Sequence, residues 1–181
     1  MSRIIFLHGA SSAGKSTLAQ AIRAESRDPW LHLSLDHFSE SGAISARYFQ
    51  RWPSQRAVFF DGMHRAFAGF ADAGNDLIIE HILDTAGWHS ALQKGLKGHD
   101  ILFVGLRTAL DLLKRREIKR GDRPIGSAAR DYSLIHEGLR YDVELDGAAS
   151  PEANAKRIML AWQDSGEPSK FFGPTPHLKA R

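Results

Sequence analysis

Gly9-Ala10-Ser11-Ser12-Ala13-Gly14-Lys15-Ser16 spells G-x-x-x-x-G-K-S, a spacing suited to holding a polyphosphate. The two glycines let the backbone wrap the anion, and successive N–H groups through Thr17 turn inward as a nest. A helix starting at this point adds its positive dipole end. In such a loop the Lys15 ammonium bridges the β- and γ-phosphates, and the Ser16 hydroxyl faces Mg²⁺. A glycine- and serine-rich connector could match by chance. Here the match follows an apolar run, Ile4–Leu7, and precedes a helical one, Thr17–Arg23, which is the context the motif requires.

Four more residues fall where phosphate chemistry would use them. Asp36 ends the apolar run Leu31–Leu35, and Glu80 ends Leu77–Ile79. In a parallel sheet both then lie on the rim that carries the phosphate loop. Glu80 reads as the second Mg²⁺-organising group, acting through water. Arg120 and Arg123 sit in a polar, glycine-punctuated stretch roughly 100 residues after the loop, where a closing lid would bring positive charge to a transferring phosphoryl group. A solvated helix face is the plainer alternative for each arginine.

The elements that must position these groups follow from hydrophobic pattern. Strands are expected at 4–7, 31–35, 77–79, 101–105 and 141–145, with helices at 17–23, 60–73, 88–96, 108–119, 128–137 and 151–163. In the helix from Phe60, the residues Met63, Phe67 and Phe70 mark one apolar face. Strands alternating with helices predict an α/β fold, a five-stranded parallel sheet with helices on both faces. The aperiodic segment 37–60 is long for a connector and reads as a cover over the acceptor. Its aromatics Phe38, Tyr48, Phe49 and Trp52 point to an acceptor with apolar surface, or simply cover the sheet edge. Residues 120–129 form the lid, 1–164 one domain, and 165–181 a loosely held tail.

Composition narrows the setting. With 181 residues, 43% hydrophobic and 25% charged, the chain is ordinary globular protein. It has no cysteine, so disulfides and thiolate metal sites are excluded, and its nine histidines show no zinc-site spacing. No apolar run approaches the length of a membrane span, which suits a cytoplasmic enzyme. The net charge of +3 is spread out, apart from Lys114–Arg123. A phosphate-binding segment accounts for that cluster as well as a nucleic-acid patch would, so no nucleic-acid partner is expected. The short chain, the absence of a guanine-reading motif and the lid arginines together favour a small-molecule kinase over a GTPase or an oligomeric ATPase.

Further blocks bring a family into view. GASSAGKS at the loop, Leu35-Asp36, AGNDLIIEHIL at 73–83, VGLR at Val104–Arg107, REIKRGDRPIG at Arg116–Gly126 and IHEGLRYDVELD at Ile135–Asp146 cover most of 4–146. In them the chain resembles the chloramphenicol phosphotransferase family of P-loop kinases, whose fold is similar to that of shikimate and adenylate kinases. The resemblance implies ATP- and Mg²⁺-dependent phosphorylation of a hydroxyl on a small molecule. It makes Asp36 the base that takes the hydroxyl proton, with a helix cap or a ligand to Mg²⁺-bound water as the alternatives, and Arg120 and Arg123 the lid arginines; by similarity to shikimate kinase, Arg116 becomes an adenine platform. His136 and Glu137 match the family and read as structural. The chain departs from the family at Glu80-His81, where the pattern is Asp-Asp, and across 39–60. His81 reads as a packed histidine at the rim, and the acceptor is left open. A kinase for another metabolite or a nucleotide-sugar is one alternative, and a non-catalytic ATP-dependent switch is another.

Overall fold

The computed structural model describes residues 1–121, 126–163 and 168–175. Five parallel strands, β1 (Arg3–His8), β2 (Leu31–Ser34), β3 (Leu77–His81), β4 (Asp100–Arg107) and β5 (Val143–Asp146), form one sheet in the order β2-β3-β1-β4-β5. The central strand β1 pairs Leu7 with Glu80 of β3 and with Val104 of β4, so the loop after β1 and the end of β3 share one rim.

Alternation along the strands divides the core in two. Ile5, Leu7, Ile78, Leu102 and Val104 face α1 (Lys15–Glu25) and α8 (Pro151–Gln163), which supply Leu18, Ile22, Ala155 and Ile158. Ile4, Phe6, Leu77, Ile79, Ile101 and Phe103 face the opposite side. There α4 (Trp52–Asp72) supplies Phe60, Met63 and Phe67, and α5 (Trp88–Gly95) supplies Leu92. The near-continuous apolar strands are what a sheet buried on both faces requires. The α/β architecture with helices on both faces is therefore the one expected.

Several local expectations are corrected. Segment 37–60 is largely helical: α2 (Leu35–Glu40), α3 (Ala46–Gln50) and the first turns of α4. Ser34 and Ser45 cap the two short helices, accepting from the amides of His37 and Tyr48. Pro53 lies in the first turn of α4, where its missing N–H costs nothing, so it starts a helix instead of breaking one. The buried face of α4 runs through Phe60, Met63, His64, Phe67 and Ala71, leaving Phe70 42% exposed. Two more helices, α6 (Leu110–Arg120) and α7 (Ser127–Tyr132), follow β4, and α7 ends five residues before the expected Glu137. Strand β5 begins at Val143, two residues after Tyr141, whose ring lies so close over Gly105 that a Cβ there would approach it to 2.6 Å. The tail is not loose over 168–175. A 3₁₀ turn at Lys170–Phe172 buries Phe171 completely, its ring centroid 4.9 Å from that of Phe6.

Candidate active site

The loop between β1 and α1 is shaped by what its backbone must do. A Cβ on Gly9 would come within 2.8 Å of the Leu106 carbonyl, so only glycine passes this close to β4. Gly14, at φ +102, takes the left-handed turn that starts α1, and Ser12 is also left-handed at φ 64. Lys15 folds back over the loop, donating to the carbonyls of Gly9 and Ala10, both at 2.9 Å. The next residue, Ser16, donates its hydroxyl to Glu80 Oε1 at 2.9 Å.

Glu80 is 9% exposed, and burial alone would raise its carboxyl. A hydrogen bond from His32 Nε2 at 3.3 Å and the charge of Lys15 outweigh that, holding the group below the usual carboxylate range. It is therefore an anion beside a hydroxyl, two hard oxygen donors of the kind Mg²⁺ takes. Among the described residues no group of three or more His, Asp or Glu side chains gathers as a ready-made metal cage. An ion held here would keep waters and ligand oxygens in its shell, which fits a carboxylate acting through water.

Asp36 stands in the first turn of α2, just beyond β2, where the sequence had suggested the end of a strand running through Leu35. Its Oδ2 accepts from Arg120 Nη2 at 3.1 Å, so the C-terminal end of α6 reaches across to it. Arg116, one turn earlier on α6, donates to the Ala13 carbonyl at 3.0 Å and to the Gly147 carbonyl at 2.9 Å. That lays its guanidinium against the phosphate loop. Arg123 and the rest of 122–125 fall outside the described residues.

Two cavities open on this rim. One, of about 540 Å³, is lined by the loop from Ser12 to Thr17 together with Arg116, Arg120 and the turn after β5 at Gly147 and Ala149. The other, of about 190 Å³, is lined among others by Trp52, Arg56, His81, Asp84, Arg130 and Asp131. Lys15, Asp36 and Glu80 belong to both walls.

The smaller cavity contains groups that sequence reasoning missed. Arg56 forks onto both oxygens of Asp84, at 2.7 and 2.9 Å, while its guanidinium lies 4.5 Å from the Trp88 ring. Asp131, on α7, accepts from the Ser11 amide at 3.1 Å and so ties that helix to the phosphate loop. Each of these contacts joins distant parts of the chain, which leaves no local pattern to read. The aromatics of segment 37–60 mostly pack on each other: Phe38 lies 5.5 Å from Phe59, and Phe49 5.6 Å from Trp52. Of the four named from sequence, Trp52 alone lines the cavity.

His81 is a packed histidine and also a bonded one. Its Nε2 lies 2.8 Å from His64 Nε2, and its ring stacks on Trp88 at 5.3 Å. Burial drives His81 well below its ordinary pKa and His64 to about 4, so both rings are neutral and one donates to the other. His136, expected to be structural, pairs its Nδ1 with the Tyr141 hydroxyl at 2.6 Å. Glu137 is exposed.

Fold and site together define a P-loop kinase. A shikimate kinase from Acinetobacter baumannii, solved with shikimate, superposes with a TM-score of 0.62 at 15% identity, covering 92% of this chain and 97% of that one. The Mycobacterium tuberculosis APS kinase CysC, solved with AMPPNP and APS, gives 0.61 at 16% identity, covering 90% and 98%. At those identities the likeness is one of fold. In sequence, the M. tuberculosis protein named "Putative O-phosphotransferase Rv2636" is 27% identical over 93% of this chain and 86% of its own length. Residues 2–163 match the family described as chloramphenicol phosphotransferase-like protein, and the chain belongs to that family. It is a phosphotransferase, a small-molecule kinase. Among the described residues no helix is long and apolar enough to cross a membrane.

Proposed function

We propose that the chain transfers the γ-phosphoryl group of Mg·ATP to a hydroxyl of a small molecule, in the manner of a chloramphenicol phosphotransferase. One observation carries the reading: the phosphate-loop cavity and the smaller cavity share Lys15, Asp36 and Glu80 as a common wall. A nucleotide in the first and an alcohol in the second would meet at those side chains.

In this reading the loop amides and Lys15 hold the phosphates, and Arg116 supports the base. Ser16, and Glu80 through water, would hold Mg²⁺, which when bound would neutralise charge on the phosphoryl oxygens. Asp36 orients the acceptor O–H and takes its proton as the oxygen attacks phosphorus. The bond between the γ-phosphorus and the β–γ bridging oxygen breaks, and ADP leaves. Arg120, with Arg123 beyond the described residues, supplies charge as the lid closes, and closure excludes water. The reaction belongs in the cytoplasm, where ATP is available.

The test is ADP release with Mg·ATP over chloramphenicol, other hydroxylated antibiotics, sugars and nucleosides, followed by mass spectrometry of the product. A phosphorylated chloramphenicol establishes the substrate. Turnover with another alcohol alone retains the kinase and moves the acceptor, a second reading that the polar lining of Asp36, Arg56, Asp84 and Arg130 favours. Tight ATP binding with no turnover on any acceptor points instead to a switch. Lys15→Ala should cut turnover by at least about a hundredfold on whichever acceptor is found.

A further inference from the structure

Asn154 is a buried amide with half of its bonding capacity in use. It stands near the start of α8, 3% exposed, and its Nδ2 donates to the Asp146 carbonyl at 2.8 Å. That bond fixes which way the amide points, since the reverse would set oxygen against oxygen. Its Oδ1 is also buried, and among the described residues nothing donates to it. An amide oxygen enclosed without a donor is costly, so it marks a place where a ligand can supply one. Asn154 lines the large cavity together with Arg116, Gly147, Ala149 and Pro151. In the sheet order this wall, beyond β5, lies on the other side of β1 from β2 and β3, which bring in Asp36 and Glu80. With the acceptor meeting the phosphates at Asp36 and Glu80, the nucleoside is left the wall of Asn154.

The turn that forms this wall has no amide to spare among its lining residues. Gly147 donates to the Arg107 carbonyl at 2.6 Å, Ala149 to the Asp146 carbonyl at 3.1 Å and Asn154 to the Ser150 carbonyl at 3.1 Å. Pro151 has no N–H, and both terminal nitrogens of Arg116 are on carbonyls. What the wall offers a base is therefore an acceptor. We propose that Asn154 selects adenine, its Oδ1 accepting from the 6-amino group of the base. The inference rests on the kinase reading above and adds how the nucleotide is chosen. Adenine presents a donor at that position, whereas guanine and hypoxanthine present an oxygen. A 6-oxo base would set two acceptors face to face with no donor between them, the kind of mismatch that a hydrogen-bonding site rejects strongly.

The test alters the base and the side chain in turn and needs no acceptor. Purine riboside diphosphate is ADP without its 6-amino group. With Mg²⁺ present it should bind the unsubstituted chain about three- to tenfold more weakly than ADP, by titration calorimetry. IDP, with a 6-oxo group, should bind at least about tenfold more weakly. In Asn154→Ala the amino group should count for less than about twofold, because its acceptor is gone. That variant also loses the bond to Asp146, which weakens all three nucleotides alike, so the ratio between them isolates Oδ1. Equal binding of ADP and either analogue by the unsubstituted chain would overturn the proposal without any variant. An equal loss of the amino group's effect in neither background, its full value persisting in Asn154→Ala, would overturn it too and assign the group to another partner. Thermal melts check folding, and Asn154→Ser, whose hydroxyl can donate to the Asp146 carbonyl, takes the place of Asn154→Ala if that variant does not fold. Failure of the unsubstituted chain to bind Mg·ADP at all would instead overturn the kinase reading, and this inference with it.

Discussion

Glu80 is a carboxylate kept ionised despite burial, because His32 and Lys15 offset what desolvation would do. Glu80→Gln preserves shape and removes the charge. It should raise the Mg²⁺ concentration for half-maximal rate and lower turnover about a hundredfold, read from initial rates against Mg²⁺. The histidines carry the opposite liability. Burial lowers His64 and His136 to about 4, and lowers His8 and His81 well below the ordinary value. The unfolded chain protonates such rings near pH 6.5, so between there and about 4 it binds more protons than the native state. Stability therefore falls as pH drops through that window. Replacing His64 by Phe should soften the fall, and a comparison of melts at pH 7 and pH 5 should show the variant losing roughly 5 °C less. At this scale Lys15, Ser16, Asp36 and Glu80 were legible, since a loop motif and two strand ends placed them. Arg56, His64 and Asp131 were not, because each matters through a partner far away in sequence.

Two carboxylates tie α7 to its neighbours. Glu117, on α6, accepts from the amides of Gly126 at 3.0 Å and Ala128 at 2.9 Å, capping the start of α7 from outside. Those amide bonds hold its carboxyl below the usual range. Asp131 fastens the far side of α7 to the Ser11 amide. Glu117→Ala should quicken hydrogen exchange at Gly126 and Ala128 by about tenfold or more while leaving Ile22 and Ile158 protected, as local rather than global loosening requires. Uniform acceleration would instead mean that the cap supports the whole fold. Element boundaries were legible where apolar period was strong, as in β1, β3, β4 and α8. They were lost in 35–59, where short helices depend on the serine caps at Ser34 and Ser45 and on aromatic packing, and where Pro53 looks like an interruption.

At the scale of the molecule, the sheet is completed from its own far end. Phe171 is fully buried among Phe6, Phe103 and His89, and Asp142 fixes the segment by accepting from Ser169 Oγ and the Lys170 amide, each at 2.7 Å. Nothing in its proline- and glycine-rich surroundings marked this residue as core, because a single buried side chain has no period. Phe171→Ala should cost about 3–5 kcal/mol and lower the melting temperature by roughly 10 °C, measured by calorimetry. The aromatic plug also sets a timetable. During synthesis β1 leaves the ribosome well before Phe171, and the face that carries Ile4 and Phe6 stays uncapped at this point until that residue has emerged. A nascent chain paused before that residue carries a nucleotide loop on an unfinished sheet, with apolar rings open to chaperones and to neighbouring chains.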